Sequence, residues 1–181
     1  MPPMQPGFVH LRLHSEYSIV DGIARLEGAV AKAVADGMPA LALTDLGNVF
    51  GMVKFYQSAR TAGLQPIIGS DVWISNDADR DKPFRALFLC ASRPGYLKLC
   101  DWLTRAYRTH QHRGRAELDK KWFEESGTEG LIALSGAQFG DIGQALLAEN
   151  RELAIKLAGQ WAQGFPGRFY LELQRAGRPQ D

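Results

Sequence analysis

The chain has 181 residues, 45% hydrophobic and 23% charged, which is typical of a globular domain with a core of its own. Its formal net charge of +1 excludes the overall basic field that drives nucleic-acid binding, so any DNA contact would be local. Cys90 and Cys100 have neither metal-site spacing nor a disulfide framework, which favours a reducing cytoplasm. We expect no membrane span and, from the start MPPMQPGF, no signal peptide.

The first half of the chain alternates strand and helix patterns. FVHLRLH (8–14) alternates apolar and polar residues, which predicts a strand. RLEGAVAKAVADG (25–37) has apolar residues at helical spacing and ends at Gly37, which predicts a helix. The pattern then predicts a buried strand over 39–44, a helix over 51–63, a strand over 65–75, a polar turn over 75–83, a strand over 84–91 and a helix over 94–107.

The second half continues the alternation. A basic polar loop (108–117) precedes a short helix over 119–126, for which Asp119 is the expected cap. The remaining patterns predict a strand over 130–136, helices over 141–150 and 151–164, and a last strand over 168–174; Trp102, Trp122 and Trp161 fall at helical positions typical of a core. Repeated strand–helix units indicate an α/β fold with a parallel sheet, either a barrel or an open sheet.

Polar side chains concentrate where four predicted strands end. These stretches read HSEYSIVDG, TDLGN, GSD and LSGAQFGD, and functional sites of parallel α/β folds form at such strand ends. Ordinary strand-to-helix turns are the alternative, because Asp, Ser and Gly are common in turns anyway. Ser15 and Ser18 are not placed next to a base and an orienting acid, so turn hydrogen bonds explain them better than nucleophilic catalysis.

The first strand end carries an unusual triplet. On a strand, alternate side chains share a face, so His10, Arg12 and His14 would project together. A His-x-His pair on one face would bind a metal, but the neighbour of His14 is Arg12, which is always protonated and cannot be a ligand. The triplet therefore leaves open whether this is a metal site or a former one.

Several long motifs, in order, resemble one known family. FVHLRLHSEYSIVDG, MPALALTDLGNVFGMVKFYQSARTAGLQPIIGSDV, LSGAQFGD and FYLELQRAGRP are similar to the PHP (polymerase and histidinol phosphatase) domain that begins the alpha subunit of bacterial DNA polymerase III. The resemblance implies a distorted (β/α)7 barrel, incomplete in this chain and completed by residues beyond 181. Residues 1–181 would then be the first part of one PHP domain, with the polymerase's palm, fingers and thumb following.

The resemblance also assigns site positions. Active members of the family bind a trinuclear metal cluster, which activates water and clamps a phosphate. His14, Asp21 and Asp45 match family ligands and are retained. The other matched positions are changed: a family histidine falls on Arg12, another on Leu46, a glutamate on Asp71, a histidine on Arg85 and a cysteine on Ala137.

These changes argue against a catalytic cluster. Leu46 and Ala137 have no lone pair for a metal, and Arg12 brings a fixed positive charge to the place of a cation. Asp71 is one methylene shorter than glutamate, and metal–oxygen distances tolerate little error. One ion could be held weakly by His14, Asp21, Asp45 and Asp71, and no metal is expected as a functional cofactor.

The same changes suggest an electrostatic replacement. Without metal ions, carboxylates that face one another repel, and arginine offers a permanent charge with a fork that fits a carboxylate. We hypothesise that Arg12, together with Arg85, replaces the metals. Arg12 should then lie within ion-pair distance of Asp71, Asp45 or Asp21; the alternative is a solvated arginine on a strand.

The resemblance implies a non-enzymatic part of a replicative, DNA-directed DNA polymerase. The domain would stabilise the alpha subunit and dock the separate proofreading exonuclease subunit, while DNA and two Mg²⁺ ions would bind elsewhere in the full-length protein. Two alternatives remain: a metal-dependent phosphoesterase or 3′–5′ exonuclease that uses the PHP cluster, and a stand-alone small phosphatase of the same superfamily. The basic segment 108–117, with His110 and His112, is expected to be a solvated loop, and DNA contact is its alternative reading.

Overall fold

The computed structural model describes residues 7–174 and Gly177. They form two compact units, divided between Asp71 and Val72. Among these residues, no helix is both long and apolar enough to cross a bilayer. The elements, in chain order, are α1 (Leu26–Ala35), β1 (Ala40–Leu43), α2 (Met52–Thr61), β2 (Gln65–Ile74), β3 (Phe84–Cys90), α3 (Arg93–Thr109), β4 (Gln111–His112), β5 (Arg115–Leu118), α4 (Lys121–Ser126), β6 (Leu131–Leu134), a 3₁₀ turn (Ala137–Phe139), α5 (Asp141–Leu147), α6 (Arg151–Gly164) and β7 (Phe169–Tyr170).

The first unit packs two helices against two parallel strands. β1 pairs with β2 in parallel, from Ala40 opposite Gln65 to Leu43 opposite Ile68. Helix α1 ends before Gly37, whose φ of 70° is in the left-handed region that a helix stop requires. The core of this unit consists of Leu26, Val30, Ala33, Leu41, Leu43, Phe55, Ala59 and Leu64.

The strand predicted over 8–14 is not a regular strand. The segment does run beside β1, because the amides of Ala42 and Thr44 donate to the carbonyls of His10 (2.9 Å) and Leu13 (3.0 Å). The amide of Leu13, however, donates to the hydroxyl of Thr44 at 2.9 Å instead of to a backbone carbonyl. The Thr44 hydroxyl thus accepts the hydrogen bond that a backbone carbonyl would accept in a regular strand pair.

The strand directions show that the predicted all-parallel sheet is wrong. The strand order is β4-β5-β2-β3-β6-β7, with β1 also pairing with β2. β2 and β5 are parallel, as are β6 and β7, but β3 is antiparallel to β6 and β4 to β5. The connection 75–83 between β2 and β3 contains no helix, whereas a parallel crossover usually needs one. The α/β class is confirmed, with a mixed and open sheet of seven strands.

The basic loop predicted over 108–117 is largely regular structure. Helix α3 continues to Thr109, and β4 and β5 then form a hairpin. Arg113 (φ 49°) and Gly114 (φ 78°) both adopt left-handed backbone angles, which is the signature of the tightest hairpin turn. An arginine at such a position is uncommon, so the residue pattern did not indicate a turn.

An aromatic cluster forms the core of the second unit. The ring of Phe88 lies 5.6 Å from Trp102, 5.5 Å from Phe123 and 5.6 Å from Phe165, measured between ring centroids. Trp161 packs on the same cluster. Trp102, Trp122 and Trp161 are all buried, which confirms the prediction that they are core residues.

Candidate functional site

The site-like part of the first unit is built on Asp71 in β2. Its side chain is fully buried, and its carboxylate forms an ion pair with the guanidinium of Arg12. The same oxygen, Oδ2, lies 3.1 Å from Nε2 of His14. Arg12 and His14 thus point to one side of their segment, as the alternation predicts. Arg12 forms its ion pair with Asp71, one of the three acids expected as its partner. The solvated-arginine alternative is wrong.

His14 links two carboxylates. Its Nε2 faces Asp71, and its Nδ1 lies 3.0 Å from Oδ1 of Asp21. Asp21 also accepts a hydrogen bond of 2.7 Å from the hydroxyl of Ser18. A neutral imidazole donates from one nitrogen only, so both carboxylate contacts are satisfied together only when both nitrogens carry a proton. In that form neither nitrogen has a lone pair to offer a metal.

Asp45 is held by Ser15. The Ser15 amide donates to Oδ1 at 2.6 Å and its hydroxyl to Oδ2 at 3.0 Å. Burial raises the pKa of Asp45, and the two hydrogen bonds from Ser15 partly oppose that rise. Ser15 and Ser18 therefore orient acids, which confirms their interpretation as turn hydrogen-bonding residues.

Leu46 contacts the residues around Asp71 through its backbone. It forms an isolated parallel bridge with Asp71, and its amide donates to the Ser18 hydroxyl at 3.0 Å. Its side chain supplies no donor or acceptor atom. The stretches HSEYS, TDLGN and GSD therefore meet in the first unit, with an apolar residue among them, although GSD lies within β2 and not at its end.

Arg85 and Ala137 belong to the second unit. The guanidinium of Arg85 lies 4.5 Å from the ring centroid of Trp73, a cation–π contact. Ala137 begins the 3₁₀ turn with φ at 50°. A Cβ placed on the preceding Gly136 would lie 2.2 Å from the carbonyl oxygen of Arg85, so these two matched positions approach each other through the backbone.

The cluster around Asp71 stabilises negative charge with side-chain cations. A divalent ion on Oδ2 of Asp71 would have to displace the guanidinium of Arg12 and the imidazole of His14. Over residues 7–174 and Gly177, no group of three or more His, Cys, Asp or Glu side chains is arranged to hold a metal ion. The arrangement is suited to neutralising buried acids.

Two buried acids of the second unit escaped the sequence analysis. Glu117 pairs with Arg80 (2.9 Å) and Arg115 (3.3 Å). Asp141 pairs with Lys120 and also accepts from the indole nitrogen of Trp161 at 3.0 Å. Apart from Arg115, their partners are distant in sequence, and nothing in the local pattern of either acid signals burial.

The basic segment 108–117 has most of its charge paired. Asp81 contacts His112 at 2.7 Å and Arg113 at 2.8 Å, while Arg115 pairs with Glu117. Nδ1 of His110 lies 3.0 Å from the carbonyl oxygen of Glu117, to which it can only donate. These pairs reduce the local positive charge that could face a phosphate backbone, and DNA contact by this segment stays an untested alternative.

Both cysteines are free thiols, in agreement with the absence of a predicted disulfide. Burial, with a smaller contribution from neighbouring Cys100, raises the pKa of Cys90 to about 12. A thiol with so high a pKa is a poor nucleophile and a poor metal ligand at neutral pH.

Comparisons with known proteins place these features in a family. The model of the PHP domain matches residues 10–176. DNA polymerase III subunit alpha of Neisseria meningitidis is 46% identical over 175 residues, which is 94% of this chain. The subunit of Pseudomonas fluorescens is 44% identical, and that of Escherichia coli K12 is 41% identical, each over 98% of the chain. The chain spans only 15% of the length of each of these relatives.

Solved structures show a partial likeness. A protein described as a metal-dependent phosphoesterase, from Bifidobacterium adolescentis, has a TM-score of 0.43 at 18% identity, covering 59% of this chain and 34% of its own. An amidohydrolase from Chromobacterium violaceum has a TM-score of 0.44 at 22% identity, covering 56% and 33%. With the family match over residues 10–176 and the long alignments to polymerase subunits, the chain belongs to the PHP domain family and is homologous to part of bacterial DNA polymerase III alpha subunits.

Proposed function

We propose that this chain is the amino-terminal PHP region of a replicative DNA polymerase III alpha subunit and that the region itself is not catalytic. Identities of 39–46% over nearly the whole chain support the first part. The full-length protein would be a cytoplasmic DNA-directed DNA polymerase that binds DNA and uses Mg²⁺ at a site outside these residues.

The observation that carries the non-catalytic role is the ion pair between Arg12 and the buried Asp71. In the proposed scheme, the guanidinium supplies the positive charge that a metal supplies in active relatives. Charge-assisted pairs of this kind are strong in a buried setting, and removing one partner leaves the other charge uncompensated.

Other residues support the same proposal. Leu46 and Ala137 stand at family ligand positions without a metal-binding atom. His14 has each ring nitrogen against a carboxylate, so it already has two partners. We therefore propose that the matched positions are vestigial: Arg12, His14, Asp21, Asp45, Leu46 and Asp71 in the first unit, and Arg85 and Ala137 in the second.

The biological role proposed for the domain is structural. It would stabilise the alpha subunit and dock the separate proofreading exonuclease subunit. A polymerase that obtains proofreading from a partner has no need of a nuclease in its own PHP domain, which is consistent with the loss of ligands at these positions.

The test is metal content and nuclease activity of the purified full-length polymerase. We expect less than stoichiometric metal in the PHP region and no 3′–5′ exonuclease activity with Mn²⁺ or Zn²⁺. The His14→Ala variant should show the same background nuclease level as the parent. Stoichiometric metal together with a nuclease activity that His14→Ala abolishes would establish the phosphoesterase alternative instead.

A further inference from the structure

A short loop of the first unit displays large aliphatic side chains to solvent. Ile19, Val20 and Ile23 have 82%, 87% and 96% of their surfaces exposed. Isolated exposed aliphatics are common, but three within five residues are a concentration that usually marks a contact surface.

Backbone hydrogen bonds fix the loop in a conformation that exposes these side chains. Its two ends are joined by a bridge between Ser15 and Ala24, and the amide of Glu16 donates to the carbonyl of Ala24 at 2.9 Å. Inside the loop, the amide of Gly22 donates to the carbonyl of Ser18 at 2.7 Å. A Cβ on Gly22 would lie 1.8 Å from the Ser15 carbonyl oxygen, so the turn depends on glycine. A preorganised loop loses little entropy on binding.

A second segment extends the apolar surface. Phe50 and Val53 are 67% and 59% exposed, respectively. The side chain of Asn48 ties this segment to the loop, because it donates to the carbonyl of Tyr17 and accepts from the amide of Phe50, both at 3.0 Å. We define the aliphatic loop surface as Ile19, Val20, Ile23, Phe50 and Val53.

The charges beside this surface neutralise one another. Glu16 contacts Arg25 at 3.2 Å and Lys54 at 3.5 Å, and Lys54 also contacts Glu27 at 2.9 Å. Internally paired charges offer little electrostatic steering to a partner that arrives by diffusion. Apolar surfaces with little charge are more typical of permanent contacts than of transient ones.

We infer that the aliphatic loop surface packs against another part of the same polymerase polypeptide, as a permanent intramolecular contact. This inference rests on the proposed function. In the curated relatives the matched region is 15% of the chain, so most of each polypeptide is tethered to it. A tethered partner has a high effective concentration, which removes any need for charge steering. Its contacting segment should be apolar and uncharged.

The test uses cysteine labelling in the full-length polymerase. Val20→Cys places a thiol at an exposed position, and Ile155→Cys on α6, where the side chain is 65% exposed, is the matched aliphatic control. N-ethylmaleimide modification is followed by mass spectrometry of the peptide that carries each thiol, in native protein and in urea. We expect native Val20→Cys to react at least about tenfold more slowly than in urea. The Ile155→Cys control should react with less than about threefold difference.

The other outcomes each overturn the inference. Fast native labelling of Val20→Cys means that the surface is uncovered. Protection that appears only after the exonuclease subunit is added assigns the surface to that subunit. Protection that grows with polymerase concentration assigns it to a second copy of the chain. Primer extension by the same preparation tests the proposed function separately, so an active polymerase with fast labelling refutes this inference alone.

Discussion

Buried carboxylates occur in both units, but their surroundings differ. In the second unit, Glu117 has two arginines of its own, and Asp141 has Lys120 with the indole of Trp161. In the first unit, one oxygen of Asp71 is shared by Arg12 and His14, and His14 is in turn shared with Asp21. Dedicated partners are what a structural ion pair requires, whereas acids converging on shared donors are typical of a site.

Among these predictions, the Arg12→Ala substitution should have the largest effect on the free energy of unfolding. The variant removes the guanidinium that pairs with the buried Asp71, and we expect it to lose about 3 kcal/mol of unfolding free energy. Urea unfolding followed by tryptophan fluorescence measures the loss. Arg25→Ala is the matched control, because its guanidinium is 80% exposed and its ion pair with Glu16 should contribute less than about 1 kcal/mol. Equal losses for the two variants would show that Arg12 has no special role.

Glu117→Gln tests the other side of the comparison. The substitution keeps the shape of the side chain but replaces one acceptor oxygen with an NH2 donor, and it leaves Arg80 and Arg115 without their counter-charge. We expect a loss of about 2 kcal/mol in the same unfolding assay. The double variant Arg80→Ala with Glu117→Gln should cost less than the sum of the two single variants, because the residues are in contact. Strict additivity would mean that the pair contributes no coupling.

Asp45 is a buried acid held by hydrogen bonds from Ser15, whereas Asp71 is held by an ion pair. Since burial raises its pKa above the ordinary 3.8, the folded state binds a proton more tightly than the unfolded chain does. Its contribution to stability is therefore greatest below pH 3.8 and declines as pH rises through the raised value. We expect the Asp45→Asn variant to lack this decline, so its stability relative to the parent should improve across that window. Parallel pH–stability curves for the two proteins would contradict the prediction.

The smallest expected effect on stability comes from relieving the backbone strain at Ala137. A non-glycine residue at φ 50° is strained, so Ala137→Gly should stabilise the protein by up to about 1 kcal/mol. Thermal unfolding measures the change. Ala158→Gly, within helix α6, is the control and should destabilise by about 1 kcal/mol. Destabilisation by Ala137→Gly would mean that the alanine methyl makes contacts that outweigh the strain.

Part of the site could be predicted from the strand order and from the alternation of side chains. Parallel strands β1 and β2 bring Asp45 and Asp71 to one edge, and alternation places Arg12 and His14 on one side. The choice of Asp71 over Asp45 as the partner of Arg12 could not be predicted, because it depends on which carboxylate Ser15 already satisfies. The contact between His14 and Asp21 requires the loop after His14 to fold back, and the periodicity of the sequence does not predict that fold.

The α/β class, most helix and strand positions, the family and the absence of a metal-binding atom in the side chains of Leu46 and Ala137 could all be derived from the sequence. These depend on side-chain type and on local periodicity, both of which are properties of the chain. Tertiary packing set the mixed sheet directions, the hairpin in place of the loop at 108–117, and the pairing of Asp71 and Glu117 with their cations. Those features depend on contacts between residues far apart in sequence, where direction and distance are set by packing.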